Sequence, residues 1–460
     1  MRRAALTQGA VRPLLARLTL PMIIGILSII TFNLADTFFV ARLGTDQLAA
    51  MSFTFPVVLV IGSLALGLGV GASAVISRAI GEGDSSRVQR LTTDALSLAL
   101  LIVVSVGVIG LLTIDPLFHA LGAEDEILGY IRTYMSIWYW GVGFVVVPMV
   151  GNSAIRATGD TRTPSLVMMV VAIVNIILDP LLIFGIGPFP ELGIAGAAIA
   201  TVIARAIVFI VSVWVLVKRE NMISFVRVPW SDVFASWRAI LYLGLPAAAT
   251  QVIVPASLGV ITRLVAAFGP EAVAAMGVAT RVEALALTVI MALGTVLGPF
   301  VGQNWGAGEL GRVRRGIRLS QQFSVLFGVG IFAVLVLFAR PIAEVFSSEP
   351  GVVEVIILYL TVVASSYGLQ GVLQLSTTAL NVLGKPFEAA GLSLLRMVGL
   401  YIPLALVGRY LFGLQGVFAA AAVASGIAGI LAFIRLRQVT AESNVPVTPS
   451  TSVSASSPAP

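Results

Sequence analysis

The stretches Gly81-Glu-Gly-Asp-Ser-Ser-Arg-Val-Gln-Arg90 and Gly306-Ala-Gly-Glu-Leu-Gly-Arg-Val-Arg-Arg315 decide the fold of this chain, because they are two versions of one motif. They begin 225 residues apart. The same spacing relates further positions: Leu43–Met51 with Phe268–Met276, Pro21 with Pro246, Pro116 with Pro341, Tyr134 with Tyr359 and Gly159 with Gly384. Chance identities are common in apolar sequence, but a fixed spacing over so long a stretch is not. The sequence therefore predicts two homologous halves.

The composition indicates that these halves lie in a membrane. Of the 460 residues, 58% are hydrophobic and 11% are charged, and the mean hydropathy is +1.02. Soluble domains have about 25% charged residues, because their surfaces need polar cover. These figures exclude a soluble enzyme, a nucleic-acid-binding domain and a disordered chain. Cysteine is absent, so neither a disulfide nor a thiolate metal site is expected.

Apolar runs predict an all-α membrane protein with about twelve transmembrane helices, since a crossing helix needs about 20 residues. The predicted spans lie near residues 14–40, 48–77, 91–114, 127–151, 164–187, 194–217, 239–267, 272–301, 319–339, 352–380, 388–408 and 414–434. Twenty of the 28 basic residues fall in the termini and the even-numbered loops, and four fall in the odd-numbered loops. Lys and Arg are enriched in cytoplasmic loops. We therefore expect a multi-pass protein of a prokaryotic-type cell (inner) membrane, with both termini cytoplasmic.

Six spans in each half make the repeat parallel, because both halves then enter the membrane from the same side. We predict an N-terminal six-helix bundle over residues 1–217 (the N-lobe), a cytoplasmic linker over 218–238 and a C-terminal six-helix bundle over 239–439 (the C-lobe). A disordered tail is predicted over 440–460. The two bundles would enclose a central cavity and rock against each other. Pro21 and Pro246, which the repeat duplicates, and Pro180 are the predicted hinges.

Acidic residues inside spans are costly unless they face a cavity or a partner. Asp36 follows Asn33 by three residues in span one, and Asp179 follows Asn175 by four residues in span five. Span six places Thr201 at a comparable depth. We predict one oxygen-rich pocket from these residues, suited to H⁺, to Na⁺ or to an organic cation. For Asn33 and Thr201, plain hydrogen bonding between helices is the competing interpretation.

The pocket is confined to the first half, since the repeat equivalent of Asp36 is Ile261. A duplicated scaffold would more naturally keep its polar groups in both halves, so this asymmetry favours function. An alternative is that one aspartate pairs with Arg205, one turn beyond Thr201. In the second half, Glu283 is interpreted either as a second cation site or as part of an ion pair between helices. For Asp94, a local ion pair with Arg90 is expected.

Several motifs together resemble the multidrug and toxic compound extrusion (MATE) family. They are the paired Gly-x-Gly loops at Gly81 and Gly306, the stretch Arg156-Ala-Thr-Gly-Asp-Thr-Arg-Thr-Pro164, and Asn175-x-x-x-Asp179-Pro180. The resemblance covers nearly the whole chain. It implies export of cationic, amphiphilic compounds in exchange for H⁺ or Na⁺, with the coupling residues in the first half.

The resemblance assigns coupling-ion or substrate roles residue by residue. The matching positions are Asp36, Asn175, Asp179 and Thr201, with Asn152 and Met168 as further members. If Na⁺ is the coupling ion, the first four would hold it. Family members of the sodium type have acids in spans seven and ten, which here lack them apart from Glu354 at the outer edge. No cofactor is implied, and the expected partners are small cationic substrates and the lipid bilayer, with no nucleic acid. A monomer is expected.

The sequence therefore favours a secondary active multidrug efflux antiporter working by alternating access. The first alternative is a lipid-linked oligosaccharide flippase of the same superfamily, for which Arg205, Arg263 and Arg281 would supply the positive charge. A passive channel is a second alternative. An intramembrane enzyme would need clustered acids with metal-ligand spacing, a histidine pair or a cysteine, and the sequence has none of these, so no enzyme is expected.

Overall fold

The computed structural model describes residues 4–226 and 228–442, and these residues are almost entirely helical. The first half contains a short 3-10 helix, Ala5–Thr7, and seven α-helices. These are α1 Val11–Ala41, α2 Thr45–Glu82, α3 Ser85–Ala120, α4 Asp125–Gly141, α5 Gly143–Ala157, α6 Arg162–Phe184 and α7 Ile194–Trp214, the last extended by a π-helical turn, Val215–Arg219.

The second half contains eight α-helices. They are α8 Trp230–Ala266, α9 Pro270–Gly306, α10 Leu310–Leu337, α11 Ala339–Phe346, α12 Pro350–Val362, α13 Tyr367–Val382, α14 Pro386–Leu394 and α15 Ile402–Glu442. A 3-10 turn, Val363–Ser366, joins α12 to α13, and a π-helical segment, Leu395–Tyr401, joins α14 to α15. α8 begins inside the predicted linker and α15 continues to Glu442, so residues 440–442 are helical. The rest of the predicted tail, 443–460, lies outside the described residues.

The predicted fold class is confirmed. Within the described residues, ten helices or continuous helical segments are long and apolar enough to cross a membrane, and α4 with α5, bent by 43°, makes an eleventh. The last of these segments runs from Pro386 to Glu442 and is broken at Gly413, where φ is 59°. A left-handed backbone at a glycine ends one helix and starts another, which brings the number of spans to the predicted twelve.

The three predicted hinge prolines all lie inside helices: Pro21 in α1, Pro180 in α6 and Pro246 in α8. Each proline removes one backbone hydrogen bond and loosens its helix locally. The carbonyl of Pro21 accepts a hydrogen bond from the Ser165 hydroxyl of α6, so α1 is tied to α6 at its proline. A hinge motion at these positions stays a prediction.

Arg90 interacts electrostatically with Asp94 as predicted, but the two form no direct ion pair within 4.0 Å in the described residues. Arg90 instead reaches Asp232 at the start of α8, with Nη1 3.2 Å from Oδ2. Spacing along one helix allowed the local pair, but α8 packs beside α3 and offers a carboxylate in a better position. Asp94 is covered by the same helix, because the Trp237 indole N–H donates to its backbone carbonyl at 3.0 Å.

The two halves meet along α2, α8 and α9, through glycines that leave no room for a side chain. A Cβ on Gly71 would lie 2.3 Å from the carbonyl oxygen of Ile240, and one on Gly81 would lie 2.1 Å from that of Gln303. Gly67 approaches Gly244 in the same way. All these contacts lie toward the carboxyl end of α2, which is the predicted cytoplasmic end. We call this set of contacts the seal.

The N-terminal segment, residues 4–9, is wedged into the seal. Leu6 is 2% exposed and packs in a hydrophobic cluster that contains residues of both halves, among them Met22 and Leu297, and its side chain lies against Gly159 of the first half. The backbone N–H of Leu6 donates to Gln303 Oε1 at 3.1 Å, and Asn304 donates to the Leu6 carbonyl at 3.1 Å. Arg312 donates to the carbonyls of three residues in this segment, at 2.7 to 3.2 Å.

Candidate functional site

Four polar side chains predicted to form one pocket lie on three neighbouring helices. Asp36 is near the carboxyl end of α1, Asn175 and Asp179 are in the second half of α6, and Thr201 is in the first half of α7. All four are buried, with exposures of 6%, 0%, 0% and 7% in that order. Because α1 and α6 end, and α7 begins, on the side of the membrane away from the seal, the cluster and the seal lie in opposite halves of the bilayer.

A close approach of α6 and α7 brings two of these side chains together. A Cβ on Gly196 would lie 2.3 Å from the carbonyl oxygen of Leu182, so only glycine allows this contact. Thr201 lies five residues further along α7 and reaches α6 at Asn175. Pro180, next to Asp179, has no N–H for the carbonyl of Ile176, which adds a free acceptor one turn back.

The hydrogen bonds at the cluster leave several oxygen atoms free. Asn175 Nδ2 donates to Asp179 Oδ1 at 3.0 Å and approaches Thr201 Oγ1 at 3.5 Å. Within the described residues, Asp36 Oδ1, Asn175 Oδ1 and Asp179 Oδ2 are buried without a hydrogen-bond partner. Buried polar atoms without partners are uncommon and need an explanation. Carboxylate, amide and hydroxyl oxygens are the ligands that a proton or a hard cation prefers.

Asp36 and Asp179 are close enough to interact electrostatically, and Arg205 interacts with Asp36. Arg205 forms no ion pair within 4.0 Å of either aspartate, so the direct pairing considered as an alternative is not formed in the described part of this conformation. Its guanidinium carbon lies 5.2 Å from the centre of the Phe32 ring, and its Nε is buried without a partner. The arginine thus lowers the local negative potential without occupying the carboxylate oxygens.

Tyr134 of α4 belongs to this cluster and was missed by sequence reasoning. It is 5% exposed and interacts electrostatically with both aspartates and with Arg205. The sequence contained a signal for this residue, because Tyr134 and Tyr359 are related by the repeat spacing of 225 residues. A polar residue kept in both halves of an apolar chain is a candidate site residue in its own right.

Three other predicted site residues lie outside the hydrogen-bonded cluster. Asn33 was placed on the same face as Asp36, but it is exposed while Asp36 and Phe32 are buried. Asn152 Oδ1 accepts a hydrogen bond from Ser212 at 3.2 Å, and Ser212 lies about 16 Å along α7 from Thr201 at 1.5 Å per residue. Met168 is half-buried and faces Gly25 of α1, where it fills the contact between α1 and α6.

Glu283 of α9 has its own hydrogen-bonded surroundings in the second half. Tyr359 donates its hydroxyl to Oε2 at 2.6 Å, and Gln370 donates to Oε1 at 3.1 Å. Arg396 and Tyr401, at either end of the π-helical segment, interact with it electrostatically. Glu283 forms no ion pair within 4.0 Å with any described residue, so it is a hydrogen-bonded carboxylate rather than half of a direct ion pair.

Comparison with known proteins identifies the family. The MatE family model matches this chain twice, over residues 21–181 and 246–407. The chain belongs to the MATE family. The two matches are the two halves of the repeat, and membership makes the protein a multi-pass membrane transporter rather than an enzyme.

Transporters of different names resemble this chain over most of its length. A protein named FAD transporter, from Shewanella oneidensis, is 39% identical over 437 residues, which is 95% of this chain and 97% of that protein. The probable multidrug resistance protein NorM of Thermotoga maritima is 30% identical over 337 residues, 70% of each. The crystal structure of the Vibrio cholerae MATE transporter VcmN in the bent form has a TM-score of 0.89 at 33% identity, covering 94% of this chain and 98% of that one.

Proposed function

We propose that this MATE protein is a secondary exporter driven by H⁺ or Na⁺, with the coupling ion bound by Asp36, Asn175, Asp179 and Thr201. The observation that carries the proposal is the pair of buried, interacting carboxylates whose free oxygens have no partner. Two like charges in a poorly solvated pocket repel each other, and a bound proton or Na⁺ relieves that repulsion. Ion binding would therefore change the charge of the pocket and, through it, the preferred conformation.

The transport cycle we propose is alternating access between two bundles, residues 1–217 and 239–439, joined by a cytoplasmic linker over 218–238. The seal closes the predicted cytoplasmic end, and the coupling cluster lies toward the opposite end. An ion that binds the two conformations with different affinity shifts the balance between them. The predicted cytoplasmic location of both termini is supported by the arginines that surround the seal, among them Arg78, Arg90 and Arg312.

For the cargo we propose first a flavin dinucleotide, because the relative named FAD transporter is similar over nearly its entire length. A dinucleotide combines aromatic rings with negative phosphates. Arg205 in the first half and Arg396 in the second each have a buried Nε without a hydrogen-bond partner in the described residues, and an arginine is well suited to bind phosphate. These two groups are the candidate phosphate ligands.

The second cargo candidate is a cationic amphiphilic compound. The acids of the first half attract cations, and the relatives named as multidrug proteins favour this class. Nothing in the described residues favours a lipid-linked oligosaccharide over these two.

The proposal is tested with purified protein in liposomes, by imposing an H⁺ gradient or a Na⁺ gradient separately and following FAD or ethidium. We expect one of the two gradients to drive cargo movement in the wild type. Asp36→Asn and Asp179→Asn should abolish the response to that gradient, because each removes a charge that the ion neutralises. Asp46→Asn is the matched control, since Asp46 is exposed at the start of α2.

The outcomes separate the two parts of the proposal. Gradient-driven transport that survives in both aspartate variants contradicts the coupling site. Transport of ethidium without FAD assigns the second cargo class, and transport of FAD without ethidium assigns the first. Cargo movement that ignores both gradients contradicts secondary transport altogether.

A further inference from the structure

A long groove runs down the second half between α10, α13 and α15, away from the coupling cluster. Its volume is about 990 Å³, at the upper end of the range of about 300–1,000 Å³ for small-molecule sites. The groove lies between helices of one half, so it is not part of the cavity between the halves.

One end of the groove is basic. Arg314 and Arg318 lie near the start of α10, and Arg437 lies near the end of α15. Arg314 is engaged, since it donates to the carbonyl of Thr440 through Nε at 3.1 Å and Nη2 at 2.6 Å. Arg318 and Arg437 are exposed and, within the described residues, make no side-chain hydrogen bond or ion pair. Two free guanidinium groups therefore face the same opening.

Beyond Gln321 and Gln322, which also line it, the groove is apolar and continues toward the middle of the membrane. Val325, Leu326 and Val329 of α10 form one wall, with Ile430 and Phe433 of α15 opposite. Leu326 is 74% exposed and Val329 is 61% exposed. At 1.5 Å per residue, the distance along α10 from Arg314 to Val329 is about 22 Å. That distance exceeds half of a hydrocarbon core of about 30 Å, so the groove spans one leaflet.

A basic end above an apolar wall matches the two parts of an anionic lipid, its charged head group and its acyl chain. We propose that the groove binds an anionic phospholipid, with its phosphate on Arg318 and Arg437 and an acyl chain along Val325, Leu326 and Val329. Basic pockets between transmembrane helices on the cytoplasmic side select anionic head groups, and the apolar wall beneath them fits a chain rather than a second polar group. A cationic compound is disfavoured by the two guanidinium groups.

The lipid would also join parts of the chain that lie far apart in sequence. α10 and α15 already touch through the bond from Arg314 to Thr440, and a phosphate held by Arg318 and Arg437 would join the same two helices again. The site requires no substrate and no coupling ion, so this inference does not depend on the proposed function.

The test uses native mass spectrometry of the full-length protein in detergent, with equal amounts of dioleoylphosphatidylglycerol and dioleoylphosphatidylcholine. We expect the wild type to retain phosphatidylglycerol preferentially. The double variant Arg318→Ala/Arg437→Ala should lose about 30-fold in apparent affinity for phosphatidylglycerol. This is the combined effect of two basic side chains, each of which usually strengthens the binding of an anionic lipid about fivefold. Arg315→Ala is the matched control, since Arg315 is exposed on the same helix and does not line the groove.

A second variant tests the acyl part. Val329→Trp fills the apolar half of the groove from an exposed position and leaves both arginines in place, so we expect at least a tenfold loss of bound phosphatidylglycerol. Unchanged lipid retention in the double arginine variant, or an equal loss in Arg315→Ala, overturns the proposal. Unchanged retention in Val329→Trp, or displacement of the lipid by millimolar glycerol 3-phosphate, also overturns it, because the site would then recognise phosphate alone.

Discussion

Leu6→Ala should move the protein away from the conformation described here. Leu6 is 2% exposed, its side chain lies against Gly159 of the first half, and it packs in a cluster that also contains residues of the second half such as Leu297. Its backbone is hydrogen-bonded to Gln303 and Asn304 of the second half. Buried Leu→Ala substitutions cost about 2–5 kcal/mol. Since Leu6 lies in a 3-10 helix of only three residues, its surroundings can partly close the cavity, and the low end of about 2–3 kcal/mol is expected.

That cost falls mainly on the sealed conformation, because parting the two halves would take Leu6 out of its contact with one of them. A change of about 2–3 kcal/mol shifts a two-state equilibrium by about 30- to 150-fold. If the sealed form is about 99% populated in the wild type, as an order-of-magnitude starting point, the variant would spend roughly a quarter to three fifths of its time unsealed. Arg312→Lys should act in the same direction, since a single ammonium cannot replace a planar guanidinium that reaches three carbonyls.

The absence of cysteine from the sequence allows clean labelling. Spin labels at Ser85→Cys on α3 and Arg315→Cys on α10, both exposed near the predicted cytoplasmic end, report the distance between the halves by pulsed electron paramagnetic resonance. We expect a second, longer distance in Leu6→Ala. The control is Leu112→Ala, because Leu112 is 77% exposed. The reasoning is refuted if Leu6→Ala lowers the melting temperature but leaves the distance distribution unchanged, or if the control broadens it equally.

Three further outcomes are expected. Gly196→Val places a side chain 2.3 Å from the carbonyl of Leu182, and we expect it to reduce gradient-driven transport at least tenfold in liposomes without preventing insertion. Tyr359→Phe removes the 2.6 Å hydrogen bond to Glu283 and should destabilise the protein by about 1.5–3 kcal/mol, seen as a lower melting temperature. The pKa of Asp84, the N-cap of α3, is held below its ordinary value of 3.8 by a backbone N–H of the same turn. Its stabilisation of the helix end is therefore present above that value and is lost as the pH falls through the lowered pKa. The protection factors of the amide hydrogens in the first turn of α3, which correct for the intrinsic pH dependence of exchange, should fall in acid in the wild type and not in Asp84→Asn.

The parts of the fold that the sequence predicted follow from constraints that act locally. The hydrocarbon core sets the length of each span, and the repeat spacing relates one half to the other. The break between α4 and α5 was not predicted, although a glycine occurs on each side of Val142. Glycine is frequent in membrane helices for packing, so its presence alone does not mark a bend. The two π-helical segments likewise have no signal in the apolar pattern.

The sequence predicted the type of site, a cluster of carboxylate, amide and hydroxyl groups, but it did not predict every residue of the cluster. Asn175 and Asp179 are one turn apart on one helix, so their contact follows from helical spacing. Asn33 and Asp36 are three residues apart, yet α6 and α7 cover only the side of α1 that holds Asp36 and Phe32. Which residues of a helix are covered is decided by its neighbours, and a single helix cannot report it. Tyr134 was missed for the same reason, because it lies on a fourth helix, α4, whose position beside α7 is set by the packing of the helices.

The composition of the seal explains how it can both close and open. Its closest contacts are glycine against backbone, as at Gly67 and Gly71, and each pair of atoms there contributes only about 0.1–0.2 kcal/mol. Among the described residues one ion pair joins α8 to the first half, Arg90 with Asp232, and both side chains are at least 36% exposed, so its contribution is about 0–1 kcal/mol. In the remaining polar contacts, side-chain amides, the guanidinium groups of Arg78 and Arg312 and the Trp237 indole donate to backbone carbonyls, and water can satisfy these groups once the halves part. A seal of buried charge pairs would be costly to break, because each separated charge would need new solvation. In the described part of the chain, the apolar and hydrogen-bonded contacts of this seal leave no buried charge pair to be solvated when the halves part. The binding of one ion about 5.5 kcal/mol more tightly to one form is enough to reverse their populations.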